Sequence, residues 1–172
     1  MPTGITNLCA TNPSGMNRFY IANTSQIATF PAAAIATHTL TSSPTMVGTF
    51  KYMKSLFLPE ESEGFARLLG DVGFQYIERE FKLFVPGLDA ANIGTIQASI
   101  GGEYSLLFTT TDAKSFLVGE PSAPLRLIGA EQTYGKANSA DKRGVLLTYK
   151  GNGPVFPYVV GFTITTTLVN TL

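Results

Sequence analysis

The chain is short of charge, cysteine, histidine and tryptophan, and each shortage excludes something. Of its 172 residues, 14% are Asp, Glu, Lys or Arg, against about 25% in an ordinary globular domain. Twelve basic and twelve acidic side chains cancel. A protein that grips nucleic acid electrostatically shows a basic footprint, and this chain has none. The single cysteine, Cys9, cannot form an intrachain disulfide. The single histidine, His38, cannot supply the two or three imidazoles of a histidine-rich metal centre. No run approaches 18 apolar residues, so no membrane-spanning helix is expected. The opening Met1-Pro2-Thr3-Gly4-Ile5-Thr6 lacks a basic stretch followed by an apolar one, so no secretory leader is expected from it.

What is present is an ordinary apolar content of 44% on a length that suits one domain. The polar residues are mostly Thr, Ser, Asn and Gln. Soluble monomers usually carry mixed charge over a quarter to a third of their surface. Charge is instead depleted where surface is buried against another chain, because desolvating it is costly. Assembly with further copies is therefore favoured over a monomer with a threonine-rich sheet surface.

The pattern along the chain is mainly β. Arg18–Ala22 reads as a strand, and residues 24–44 hold no Lys, Arg, Asp or Glu and no clean period. Residues 1–45 are expected to form a strand and a long extended arm, with 46–172 as the β domain. A loop that long inside a compact domain is uncommon unless it serves something. Docking on a neighbouring subunit is expected, so that loss of residues 24–44 abolishes assembly and spares the domain.

Phe50, Tyr52, Leu56 and Leu58 alternate with polar residues and predict a strand ended by Pro59. Phe65, Leu68 and Leu69 predict one or two helical turns within 60–70, capped by Gly70. From Gly73 to Val85 a strand places Ile77, Phe81, Leu83 and Val85 on one face with Arg79 among them, and Glu78, Glu80 and Lys82 on the other. Asp89 stands where a helix N-cap belongs. Ile93, Ile96 and Ile100 then form one helical stripe that Gly101-Gly102 closes. That stripe is expected to pack on Phe156, Val160 and Phe162.

Further strands are predicted at Tyr104–Thr110 and Ser115–Gly119 around a hairpin turn, at Leu125–Tyr134 and at Val145–Lys150. Gly151-Asn152-Gly153-Pro154 reads as a turn. A last strand places Phe156, Tyr158, Val160, Phe162, Ile164 and Leu168 on a core face, with Thr163, Thr165 and Thr167 opposite. The fold class expected is an antiparallel β-sandwich or barrel with one crossing α-helix at about residues 89–100.

No chemistry emerges from the residue pattern. No phosphate-binding glycine loop precedes a helix. Cys9 and His38 lie in the low-complexity region with no oxyanion signature nearby. Glu78 and Glu80 could serve glycoside hydrolysis, but with Lys82 on the same face they read better as a solvated or intersubunit charge stripe. Tyr134, Lys136, Lys142 and Arg143 form a modest basic loop, read as solvent-facing or as an intersubunit contact. No catalytic residue, cofactor or metal is expected. The intersubunit candidates are Glu78, Glu80, Lys82, Lys136, Lys142 and Arg143.

The stretch Glu80-Phe81-Lys82-Leu83-Phe84-Val85-Pro86-Gly87-Leu88-Asp89-Ala90-Ala91 carries a resemblance. It continues through Phe116-Leu117-Val118-Gly119, Pro124-Leu125-Arg126-Leu127, Tyr134-Gly135-Lys136-Ala137 and Val145–Tyr149. Over roughly residues 46–170 the chain resembles small structural proteins encoded in the tail modules of phages of Bacteroidetes-type hosts. Its element order is similar to the tail-tube fold of tailed phages and contractile injection machines. The resemblance implies a non-enzymatic virion protein, assembled in the host cytoplasm into rings, typically hexameric, that stack into a tube. Its implied partners are itself and other virion proteins, with phage DNA as non-specific cargo and no membrane insertion. The alternatives are a capsid, decoration or neck component, or a β-sandwich glycan-binding adhesin module.

Overall fold

The computed structural model describes residues 15–34, 37–55, 57–87, 90–134 and 143–170. In chain order the elements are β1 (Met16–Asn23), β2 (Ile27–Thr29), β3 (Thr39–Leu40), β4 (Thr45–Met46), β5 (Tyr52–Lys54), a 3-10 turn at Pro59–Glu61, β6 (Glu63–Leu69) and β7 (Tyr76–Pro86). The helix α1 (Ala90–Ser99) follows, then β8 (Glu103–Thr110), β9 (Ser115–Val118), β10 (Leu125–Thr133), β11 (Gly144–Gly153), β12 (Tyr158–Val160) and β13 (Val169–Asn170). Among the described residues no helix is long and apolar enough to cross a membrane.

The fold is mainly β, and its main sheet is open. Strands β13-β5-β1-β8-β10-β11-β7-β6 run side by side, so β13 and β6 end the row. The sheet forks at β8. Glu103 and Tyr104 pair with β10, while Leu106–Thr109 pair with β9 on the same side. From β9 the second branch continues through β12 to β3. The closed barrel expected from turn spacing is not formed. The sheet is also mixed, because β12–β3 and β13–β5 are parallel pairs.

Strands at the fork bury both faces. Met16, Phe19, Leu106, Phe108 and Val118 join Phe81, Leu83, Leu125, Leu127, Val145, Leu147 and Tyr149 in one apolar cluster. The alternate positions Tyr20, Ala22, Leu107 and Leu117 join Ile27, Leu40, Tyr52, Leu168 and Val169 in the other. A strand covered on both sides needs a continuous apolar run, and Leu106-Leu107-Phe108 supplies it.

Several expectations are corrected. Residues 63–69 form a strand, not helical turns. Seven consecutive pairs with β7 hold it extended, and apolar residues at i, i+3 and i+4 over so short a stretch do not separate the two states. The strand expected over 49–58 shortens to Tyr52–Lys54, with Phe50 exposed. Gly151, Asn152 and Gly153 are not a turn but the end of β11, paired with Arg79, Glu78 and Ile77. They are small there for close approach: a Cβ at Gly153 would collide with the Arg79 guanidinium. The long last strand is broken into β12 and β13 with a turn around Thr165–Leu168 between them. Even so, Tyr158, Val160, Phe162, Ile164 and Leu168 reach the second cluster, and Thr163, Thr165 and Thr167 are exposed.

The helix stands where expected, although Asp89 lies outside the described residues. Its packing differs. Ile96 rests on the first cluster, Ile100 is exposed, and Val160 and Phe162 belong to the other cluster. The helix joins the end of β7 to the start of β8, and its Ile96 contact puts it on the first side of the fork. The described part of residues 24–45 packs on its own chain. Ile27 and Leu40 are buried in the second cluster, and β3 pairs with β12.

Candidate interaction surface

The alternation of β7 does bring Glu78, Glu80 and Lys82 to one face. There they join partners that the pairing of neighbouring strands supplies. Arg67 of β6 lies opposite Glu78, Glu63 lies opposite Lys82, and Lys150 of β11 lies opposite Glu80. The six form a continuous ladder of alternating sign. Arg67 reaches Glu78 at 2.5 Å and Lys150 reaches Glu78 at 2.7 Å and Glu80 at 3.8 Å. Lys82 spans Glu80 at 3.7 Å and Glu63 at 2.7 Å.

Hydrogen bonds from Lys150 first, and then Arg67, hold the Glu78 carboxyl below the usual carboxylate range. Glu63 and Glu78 in turn raise Lys82 and Lys150. Three acids and three bases cancel, so the ladder is satisfied within the chain and presents no net charge. Among the remaining candidates, Arg143 is exposed, and its carbonyl accepts a hydrogen bond from the Gly87 N–H at 3.1 Å. Lys136, Lys142 and Cys9 lie outside the described residues.

Under this face a second polar group is buried. The Arg79 side chain is fully enclosed and donates through Nη2 to the Ala123 carbonyl at 2.8 Å. Its Nε has no partner among the described residues, and neither does Oε2 of the buried Glu120. Burial lowers the guanidinium's proton affinity, and the nearby Glu120 charge opposes that. Tyr158 sits beside Glu120, and His38 stacks on the Tyr158 ring with centroids 4.9 Å apart. His38 Nε2 lies 2.9 Å from the Phe156 carbonyl oxygen. The lone histidine thus closes a loop against its own chain. The sequence did flag Arg79, as the charge among the apolar residues on one face of β7.

Two apolar features had no clear sequence signal. The turn joining β6 to β7 presents Val72 at 94% and Phe74 at 85% exposure, with Leu68 also exposed beside it. A pair of large apolar residues inside a Gly/Asp turn was the available clue. Beside the middle of β6 lies an apolar groove of about 280 Å³ bounded by Phe65, Phe81, Phe108, Phe116, Phe156 and Pro157. Its rings are ordered: Phe108 stacks on Phe116 at 5.3 Å and meets Phe81 at 5.1 Å. The outer edge of β6 has no strand beside it among the described residues.

Comparison of the chain with protein-family models, with curated proteins and with solved structures finds no match.

Proposed function

We propose that this chain is a virion structural protein, a tail-tube or tube-like ring component that assembles with copies of itself around a passage for DNA. The observation that carries the reading is the seven-residue edge strand β6, open on its outer side and continued by an apolar turn, on a chain with 14% charged residues. Natural sheets blunt such edges with short strands, charged side chains or proline. The edge strands β13 and β3 are two residues each. β6 has no proline and is left long, and its two charges, Glu63 and Arg67, are engaged by Lys82 and Glu78 on one face of the sheet. An edge of this kind is removed when another chain covers it.

The neutral surface supports the cargo. Phosphate contacts made by lysine and arginine would retain DNA that has to pass, and the charge ladder on β6, β7 and β11 is cancelled internally. The reading includes a sandwich-like subunit, a virion location after assembly in the host cytoplasm, other virion proteins as neighbours, and no catalysis or cofactor.

Light scattering and negative-stain microscopy of the purified chain test it. Rings or tubes are expected at physiological salt. A sharp monomer mass near 18.4 kDa at high concentration overturns it. A monomer that is retained on immobilised glycans would favour the adhesin alternative.

A further inference from the structure

We infer that the Val72–Phe74 turn of one copy seats in the aromatic groove beside β6 of the next, an inference that rests on the self-assembly proposed above and identifies the contact. The chain carries an apolar knob and an apolar hole that do not meet within one molecule. The turn is held in shape: Phe74 N–H donates to the Asp71 carbonyl at 2.9 Å, and Gly70 and Gly73 adopt φ of +99° and +94°. Val72 and Phe74 are thus presented outward by an ordered hairpin. From Ala66 at the groove, the strand carries the turn away by about 3.4 Å per residue. The tip ends roughly 15–20 Å from its own groove and cannot fold back into it.

The hole suits an apolar side chain and little else. No polar or charged side chain lines it, which leaves only backbone groups at its rim to pair with an incoming chain. Its volume falls at the foot of the roughly 300–1,000 Å³ typical of small-molecule pockets. Three of its walls, Phe81, Phe108 and Phe116, are rings packed on one another, which favours a further ring at offset or edge-on geometry. Phe156, half exposed at the rim, has an open flank for such a ring. The free edge of β6 runs along the same rim and offers unpaired backbone groups to the incoming hairpin.

Knob and hole occupy different parts of the surface. A contact between them is heterologous, and repeating it gives a closed ring or an open filament rather than a two-fold dimer. That consequence follows from the placement of the two features on one chain.

The test uses Phe74→Asp and Val72→Asp in the full chain. Both residues are exposed, so the thermal melt of each monomer should match the parent. The assembled fraction should fall at least tenfold. Separately, Phe74→Cys and Phe156→Cys are each made with Cys9→Ser, mixed, and oxidised. A disulfide between the two variants is expected, and neither variant alone should form it. If the parent assembles and Phe74→Asp assembles equally well, or if the mixed disulfide fails to form, the knob-and-hole contact is wrong while self-assembly stands. If the parent is monomeric throughout, the assembly reading itself falls. If the parent co-sediments with phosphatidylglycerol vesicles and Phe74→Asp does not, the tip meets lipid instead, and the contact is overturned.

Discussion

The ring of Phe81 occupies the space that a side chain at Gly64 would need. A Cβ built on Gly64 would lie 2.6 Å from Cδ1 and 2.8 Å from Cε1 of that ring. The two residues are directly opposite each other on β6 and β7. Phe81 is 2% exposed and packed in the first core cluster, so its ring can yield only by shifting toward the aromatic groove that it lines.

Gly64→Val should therefore destabilise the fold by about 1–3 kcal/mol, the usual range for forcing extra methyl groups into packed space. Valine's preference for strands works against this and should not reverse it. Adding Phe81→Leu should relieve part of the penalty, so the costs of the two changes should fall short of additive. Urea midpoints of the four members of the cycle measure the coupling.

Leu40 tests where residues 24–45 belong. It is fully buried in the second cluster and sits on β3, paired with Val160. Leu40→Ala should cost about 2–5 kcal/mol even in a dilute monomer. Deleting residues 24–44 should unfold the domain rather than merely prevent assembly. Thermal melts at low concentration distinguish this from docking on a neighbour, which would leave the monomer's midpoint unchanged.

At high pH the buried phenols should govern stability. Burial pushes Tyr52 and Tyr149 well above the ordinary value of 10. Ser105 Oγ lies 2.8 Å from the Tyr52 hydroxyl and itself donates to the Val118 carbonyl, so Tyr52 is the donor of the pair. The unfolded chain releases these protons near pH 10 and the native one retains them. Their contribution is complete below pH 10 and is lost as pH rises above it. The drop should be shallower in Tyr52→Phe/Tyr149→Phe. It should not vanish, because Lys82 and Lys150 are raised by Glu63 and Glu78 and lose their own contribution in alkali.

The acid side should report on the ladder. Glu78 is held below its usual 4.5, so its contribution is present above that pH and is lost as pH falls through its native value. Lys150→Met removes the strongest of its hydrogen bonds. The variant should be less stable than the parent at pH 7, and the gap should shrink in acid, where Glu78 is protonated in both. Paired urea titrations at neutral and acid pH check this.

Local signals were readable wherever one face of a strand was wet. The alternation in β7 separated Ile77, Phe81 and Leu83 from Glu78, Glu80 and Lys82, and the structure keeps that division. The turn between Thr110 and Ser115 and the helix ahead of Gly101 were equally local. What failed was decided by distant contacts. Gly151 and Gly153 look like turn formers until Pro124 and Arg79 are placed against them. Phe65, Leu68 and Leu69 fit a helix until β7 is laid alongside. Of the ladder, Glu78, Glu80 and Lys82 were visible, while Arg67, Glu63 and Lys150 came from two other strands whose register no short window contains. The exposure of Val72 and Phe74 is a fact about packing: Gly70, Asp71 and Gly73 mark a turn there without showing that nothing packs on it.

The position of β1 against β8 has a consequence for synthesis. Asn23 pairs with Tyr104, and Met16 pairs with Thr110. β1 leaves the ribosome ahead of β8 and thus waits for about 80 further residues before that partner begins to emerge, roughly 4–16 s at ordinary elongation rates. During that interval Phe19, Tyr20 and Ile21 have no β8 to cover them. Closing the fork is a late, long-range event of the kind that folds slowly. The nascent chain is at its most adhesive before Thr110 is made, and a growing chain and its neighbours on one message will need shielding from each other until then.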